Sequence, residues 1–302
     1  MKIAVLGYGN LGKSVEKYAL ETGQEVVGIF SRRKVESGLG SRAYRLESFP
    51  RFEADVAALC FGSAENMTGL APLIAMQCNT VDAYDNHSEM KGFHSLMDAA
   101  AKSTNHVALL GCGWDTGVMS AIRGLCCLLG ETQGTFWGRG ISQGHSNALR
   151  TVDGVLDAVQ FTLPNDKMKT KEGLNQPPEK RHRRVCYLVT EKGADKAKII
   201  DNIIDMKGYF AGYETEINFV DQAVLDKLKK DTSHRGEVVC FGSGLAASFK
   251  LKLKDNCYTT AKIMVEYAKA ALSLADKKLY GAYTAMDIAP SEFLGDKTWK
   301  YV

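Results

Sequence analysis

Lys2-Ile3-Ala4-Val5-Leu6-Gly7-Tyr8-Gly9-Asn10-Leu11-Gly12 decides the fold of this 302-residue chain. Residues 2–6 read as a short buried strand. Three glycines follow at positions 7, 9 and 12, and then a helix whose apolar residues Leu11, Val15, Tyr18 and Ala19 recur at the helical period. Gly23 is placed to end that helix, and Glu25–Phe30 reads as a second strand. In such a strand–turn–helix the first glycine permits the tight turn. The second lets backbone approach a pyrophosphate, and the third allows the helix to pack closely on the strand. Backbone N–H groups at the helix start then face the phosphate charge. The position of the motif after a strand and before a helix favours dinucleotide binding over a plain structural turn.

The second strand ends in Ser31-Arg32-Arg33. A fold that prefers NAD usually has an acid here to hold the ribose 2′-hydroxyl, and that acid would repel a 2′-phosphate. A hydroxyl and two guanidinium groups donate charge-assisted hydrogen bonds to the phosphate instead, so the expected cofactor is NADP. The plainer alternative is an exposed basic turn.

Working outward, Asp55–Phe61, Thr80–Ala83 and His106–Leu110 read as further strands, with helices around Met67–Met76 and Phe93–Lys102 between them. Apolar strands alternating with helices belong to a parallel sheet covered on both faces. After about residue 117 the pattern changes. Gly134–Ile141, Ala158–Leu163, Arg184–Val189, Thr215–Val220 and Glu237–Phe241 look like strands of a mixed or antiparallel sheet, with a polar loop over Asn165–Arg183. A helix is expected at about Thr260–Lys277. The expected class is therefore α/β, a Rossmann-type parallel-sheet dinucleotide domain with a second α+β domain for substrate binding and dimerisation. The expected boundaries are 1–117, 118–255, and a C-terminal segment 256–302 returning to the first domain.

Lys and Arg number 38 against 35 Asp and Glu, and the net charge of +3 gives no ground for a nucleic-acid or membrane partner. No apolar run has the length of a membrane span. Met1-Lys2 leads directly into a strand with no h-region before it, so a cytoplasmic protein is expected. Cys60, Cys78, Cys112, Cys126, Cys127, Cys186, Cys240 and Cys257 are scattered, with no Cys-x-x-Cys pair and no nearby His pair. They read as reduced thiols, and no metal is expected.

Two segments fall at the C-terminal ends of expected strands, where open α/β sheets bind ligands: Asp82-Ala83-Tyr84-Asp85-Asn86-His87 and Gly111-Cys112-Gly113-Trp114-Asp115-Thr116-Gly117. Two acids there suit an ammonium group or proton handling, though either alone reads equally well as a loop cap. In the second half, Lys180-Arg181-His182-Arg183-Arg184 resembles a solvated face. Arg184, however, directly precedes an apolar strand and is thereby anchored to hold a carboxylate. His234 suits a surface residue or a carboxylate ligand, and pattern alone does not choose.

Tyr8-Gly9-Asn10-Leu11-Gly12, Phe30-Ser31-Arg32-Arg33, Gly62-Ser63-Ala64, Tyr84-Asp85-Asn86-His87, Gly113-Trp114-Asp115, Thr135-Phe136-Trp137-Gly138 and Ser142-Gln143-Gly144-His145-Ser146 together resemble the meso-diaminopimelate dehydrogenase family. The likeness continues through Gln160-Phe161-Thr162-Leu163-Pro164 and Gly208-Tyr209-Phe210-Ala211-Gly212-Tyr213-Glu214, so it runs nearly the length of the chain. The resemblance implies NADP-dependent, reversible oxidative deamination of the D-centre of meso-2,6-diaminopimelate to L-2-amino-6-oxopimelate and ammonia. It also implies a role in lysine biosynthesis and a homodimer. It assigns cofactor contacts to Gly7, Tyr8, Gly9, Asn10, Leu11, Gly12, Ser31, Arg32, Arg33, Cys60, Phe61, Gly62, Ser63, Tyr84, Asp85 and Asn86. The substrate contacts it implies are Asp85, Trp114, Asp115, Trp137, Gln143, Gly144, Thr162, Arg184, His234 and Asn256, with Asp85 and Asp115 catalytic.

Other readings share the nucleotide unit. One is an imine reductase of the dihydrodipicolinate-reductase kind, whose His-His and Lys-rich acid/base segment has no counterpart here. Another is a D-amino-acid dehydrogenase of broader range. A third is a non-catalytic NADPH-binding sensor, against which the retention of both Asp85 and Asp115 counts.

Overall fold

The computed structural model describes residues 1–62 and 67–302. The chain divides into two compact units, Met1–Ala121 with Cys257–Val302, and Ile122–Asn256. The first begins with β1 (Lys2–Leu6), α1 (Asn10–Glu21), β2 (Glu25–Ser31), β3 (Ala43–Arg45), β4 (Val56–Leu59), α2 (Met67–Ala75), β5 (Asn79–Asp82), α3 (Met90–Ser103) and β6 (Val107–Leu110). Then come α4 (Ser120–Leu129), β7 (Thr132–Trp137), β8 (Gly140–Ile141), α5 (Gln143–Leu149), β9 (Val155–Pro164), α6 (Lys171–Leu174), β10 (His182–Thr190), α7 (Lys196–Ile204), β11 (Glu214–Phe219), α8 (Gln222–Leu228), β12 (His234–Gly242) and β13 (Leu245–Leu253). The chain closes with α9 (Asn256–Asp276), β14 (Gly281–Thr284) and α10 (Ser291–Leu294).

The first unit holds a seven-stranded sheet in the order β14-β6-β5-β4-β1-β2-β3, with every described pairing parallel. β1 lies between β2 and β4, so the order reverses at β1 and leaves a crevice at the carboxyl ends of β1 and β4. That is where such sheets take ligands. Alternation along β1 explains the two-sided cover. Ile3 and Val5 face a core built with Val15 and Ala19 of α1 and Ala261, Met264, Val265 and Ala268 of α9. Ala4 and Leu6 face the other core, with Met67 and Ala71 of α2 and Phe93, Met97 and Ala101 of α3. A strand buried on both faces has no polar side to show, which is why it reads as a continuous apolar run.

The second unit has a mixed sheet in the order β11-β10-β9-β8 and a separate sheet in the order β13-β12-β7. The first is antiparallel except for the β10–β11 pair, and the second is antiparallel throughout. Leu149, Ala158, Leu188, Ile199, Ile203 and Phe210 form its main core. The Rossmann-type sheet and the α+β unit expected from sequence both form.

Several elements, among them β3, β14, α4, α5, α7, α8 and the short α6 inside the expected loop, were not expected, and two differences bear on the strands of the second unit. The stretch Gly134–Ile141 reads as one strand but is two. Trp137 pairs with Gly236 on β12, whereas Gly140 pairs with Thr162 on β9, so β7 and β8 enter different sheets. β13 was not expected at all. It is an edge strand in which Ala247, Phe249, Leu251 and Leu253 on the more covered face alternate with exposed Ser248, Lys250 and Lys252.

Candidate active site

At the glycine turn each residue does separable work. Gly7 stands at φ +93°, a conformation that side-chain-bearing residues rarely adopt, and its N–H donates to the Phe30 carbonyl at 2.8 Å. A Cβ on Gly12 would sit 2.1 Å from the Gly7 carbonyl oxygen, so α1 reaches β1 this closely only because residue 12 has none. Around Gly9 a Cβ would meet nothing within 4 Å. That open space, at the N-terminus of a helix with no acid in its first turn, suits a pyrophosphate. Asn10 is exposed and Leu11 packs against the α9-side core. The Tyr8 phenol donates to Glu16, a fully buried acid on α1 that also accepts from Ser37. Glu16 thereby ties the glycine turn to the loop after β2. It was missed in the sequence, where it reads as an ordinary charged position in a helix.

Ser31 ends β2 and is buried, with its Oγ accepting the Arg33 N–H at 3.2 Å. Arg32 and Arg33 are exposed, and Arg45 Nη1 donates to the Arg32 carbonyl at 2.7 Å. No carboxylate occupies positions 31–33, so the donor set fits a phosphate on the adenosine ribose. Phe30 fixes this strand end in an aromatic cluster, with ring centroids 5.5 Å from Tyr44, 5.2 Å from Phe49 and 5.0 Å from Phe52.

At the end of β4, Cys60 is buried, its N–H donating to the Leu6 carbonyl at 2.7 Å. Phe61 is half-buried and Gly62 exposed, and Ser63 lies outside the described residues. Tyr84 is 2% exposed, its ring tilted against Phe93 at 4.3 Å. A cofactor contact by Tyr84 is therefore a matter for its backbone. Asp85 and Asn86 are exposed just beyond.

Asp115 follows β6 in a wide turn of the π type over Trp114–Met119, and the Trp114 ring is buried. His87 Nε2 lies 3.9 Å from Asp115 Oδ2, which brings the two loops of interest together. Their shared anchor is Asp82, which is fully buried. Its Oδ1 accepts the N–H of Tyr84 and of Gly111, each at 2.9 Å, and its carbonyl accepts from Cys112 N–H at 2.6 Å. Burial pushes the Asp82 carboxyl up to about 6, and among the described residues Oδ2 has no hydrogen-bond partner. A carboxyl this deep reads in sequence like any other strand-end aspartate.

The second unit carries the other candidates. Thr162 and Arg184 are cross-strand partners on β9 and β10, and Arg184 Nη1 donates to Thr162 Oγ1 at 2.7 Å. Arg184 is 8% exposed and lies over the Tyr213 ring, 4.2 Å from its centroid. Burial pulls the guanidinium below its usual pKa. Its Nε has no hydrogen-bond partner, and among the described residues no carboxylate pairs with it. Trp137 ends β7 beside the Arg123 guanidinium, which is 5.7 Å from its ring. Its backbone N–H donates to His182 Nε2 at 2.8 Å. Burial, helped by the charges of Arg184, Arg181 and Lys169, lowers the His182 pKa to about 4. The ring is thus a neutral acceptor with its proton on Nδ1.

His234 opens β12 and Asn256 donates its N–H to the Thr232 carbonyl at 3.0 Å, so the two lie at the same end of that sheet. Gln143 and Gly144 are exposed in the first turn of α5, which Ser142 caps by accepting from the His145 N–H. Tyr213 and His182 were not singled out from the sequence. An aromatic and a histidine in polar segments give no sign of which side chain they will meet across the sheet.

The sheet order, the glycine turn and the appended α+β unit with a buried cation define a two-unit protein of the dinucleotide-dependent oxidoreductase class. The family model for the diaminopimelic acid dehydrogenase C-terminal domain matches residues 113–254. The meso-diaminopimelate D-dehydrogenase of Corynebacterium glutamicum is 36% identical over 96% of this chain and 94% of its own. The solved structure of the C. glutamicum DAP dehydrogenase in complex with DAP superposes with a TM-score of 0.90 at 34% identity, covering 100% of this chain and 99% of that one. An engineered D-amino acid dehydrogenase bound to NADP⁺ gives 0.86 at 34% identity, with coverage of 100% and 99%. The chain belongs to the meso-diaminopimelate D-dehydrogenase family.

Proposed function

We propose that this protein catalyses the NADP-dependent, reversible oxidative deamination of the D-centre of meso-2,6-diaminopimelate. The products are L-2-amino-6-oxopimelate, ammonium, NADPH and a proton, with water as co-substrate, and the reaction serves lysine biosynthesis. The observation that carries the reading is Arg184, a buried guanidinium with no acid beside it among the described residues. A buried charge without a partner is costly, and a substrate carboxylate relieves that cost on binding. Family membership and the relatives crystallised with NADP⁺ and with DAP support the same assignment.

Each residue type suits its part. Gly7, Gly9 and Gly12 would cradle the pyrophosphate, and Ser31, Arg32 and Arg33 would take the 2′-phosphate. Asp85 and Asp115 would bind the reacting ammonium, turn its C–H toward the cofactor, and orient the water that attacks the substrate iminium. Thr162, Arg184, His234 and Asn256 would hold the distal amino-acid end, and Trp114, Trp137, Gln143 and Gly144 would line the chain between the two ends. Holding the distal end fixes which hydrogen of the reacting carbon points at the nicotinamide. Bound NADP⁺ supplies the hydride acceptor.

A homodimer and a cytoplasmic location complete the proposal. Leu125, Leu128 and Leu129 leave an apolar face of α4 exposed, which suits a subunit contact. All eight cysteines are free, as in a reducing compartment. Among the described residues no helix is long and apolar enough to cross a membrane.

The test supplies NADP⁺ with meso-, LL- or DD-diaminopimelate in separate assays and follows NADPH absorbance. Reduction with the meso isomer is expected, and its absence overturns the assignment. Equal rates with NAD⁺ would overturn the role given to Ser31, Arg32 and Arg33.

A further inference from the structure

The row that holds Thr162 and Arg184 begins one strand earlier. Gly140, the first residue of β8, is the Cα partner of Thr162 on β9, and Thr162 is the partner of Arg184 on β10. Residues directly opposite in antiparallel pairs project to the same face, so a side chain at position 140 would stand beside Thr162, in line with Arg184. The structure fills that place with a side chain from elsewhere. A Cβ built on Gly140 would lie 2.4 Å from Cδ2 of His234 and 2.5 Å from its Cγ and Nε2. The imidazole therefore lies flat against the backbone of β8.

Backbone conformation does not call for glycine here. Gly140 is not among the residues at positive φ, so an alanine could adopt its φ and ψ. A glycine inside a strand is also a destabilising choice. What excludes a side chain is the His234 ring, which supplies all three of the nearest atoms. That ring is held in orientation as well, with its Nδ1 3.0 Å from the Arg235 nitrogen and 3.3 Å from the Arg235 carbonyl oxygen. Its Nε2 is the ring nitrogen nearest the row.

We propose that Gly140 is a positioning residue, whose missing side chain seats His234 beside Thr162 and Arg184 so that the imidazole and the guanidinium hold one distal carboxylate. The carboxylate part rests on the function proposed above, while the seat itself rests on geometry alone. Gly140 touches no substrate in this account and acts through His234.

The experiment compares wild type with Gly140→Ala, His234→Ala and the double variant, measuring kcat and KM for meso-diaminopimelate at saturating NADP⁺. Each single change is expected to raise KM roughly tenfold with kcat held within about threefold, as for the loss of a binding contact. Because both remove the same seated ring, the double variant should match His234→Ala within about twofold. Effects that multiply, or a KM for Gly140→Ala within about twofold of wild type, overturn the proposal. If Gly140→Ala alone fails to fold, recovery of folding in the double variant reads the same coupling, and failure of both overturns it.

A second readout needs no turnover. The ring C–H resonances of His234, identified by their loss in His234→Ala, should shift in Gly140→Ala while those of His145 and His182 stay in place. An unmoved His234 overturns the seat. A wild-type enzyme inactive with meso-diaminopimelate would instead overturn the proposed function and the carboxylate part, leaving the resonance shift to decide the seat.

Discussion

At the guanidinium of Arg184 a full charge sits 8% exposed beside a hydroxyl and a phenol ring. Its neighbours orient the fork without neutralising it, so the group is prepared for an incoming anion. Replacing it by methionine keeps much of the volume and removes the charge. A charge-assisted hydrogen bond contributes about 1.5–3 kcal/mol, so KM for the substrate should rise roughly tenfold to a hundredfold. NADP⁺ affinity should be unchanged, and a kinetic series alongside a cofactor titration checks both. Arg184 was legible in the sequence because a basic residue directly before an apolar strand has an anchored backbone. Tyr213 was not, because its meeting with Arg184 depends on the parallel pairing of β10 with β11, and nothing local to either strand encodes that pairing.

At the scale of elements, β2 and the loop after it set the choice of cofactor. Ser31 is held by the buried end of the strand, whereas Arg32 and Arg33 reach solvent. Changing Ser31 to Asp and both arginines to Ala should lower kcat/KM for NADP⁺ by on the order of a hundredfold, through loss of charge-assisted donors and the repulsion an acid adds. Activity with NAD⁺ should fall far less, which parallel assays would read. The parallel strands were legible because burial on both faces leaves an apolar signature. The division of Gly134–Ile141 between two sheets was not. Period-2 alternation records which face a residue takes, and says nothing about which neighbouring strand accepts its hydrogen bonds. β13 was legible and was overlooked: Ala247, Phe249, Leu251 and Leu253 alternate with Ser248, Lys250 and Lys252, the period-2 pattern of a strand with one face in solvent.

At the scale of the whole molecule, two histidines couple stability to pH. Burial lowers both His145 and His182 to about 4, with Arg184 adding to each, against an ordinary value of 6.5. In the unfolded chain they take up protons from about pH 6.5 downward, while in the fold they stay neutral until about pH 4. The unfolded state therefore binds more protons across that window, and stability, complete above pH 6.5, falls as the pH drops toward 4. Thermal melts from pH 7.5 to 4.5 should show Tm declining, and His182→Gln should flatten the decline. A slope identical to wild type would remove His182 from the account. Assembly belongs to the same scale. With Leu128 82% exposed on α4, Leu128→Glu should convert the proposed dimer to monomer in sedimentation, with the far-ultraviolet spectrum unchanged.

Asp82 has a consequence for anyone who remodels this enzyme. One carboxylate receives hydrogen bonds from the loop after β5 and from the loop after β6, at Tyr84 and Gly111. Those loops carry Asp85 and Asp115, far apart in sequence but fastened to a single peg. The donors are backbone N–H groups, so either loop can be exchanged as long as Asp82 stays, whereas losing Asp82 would release both loops together.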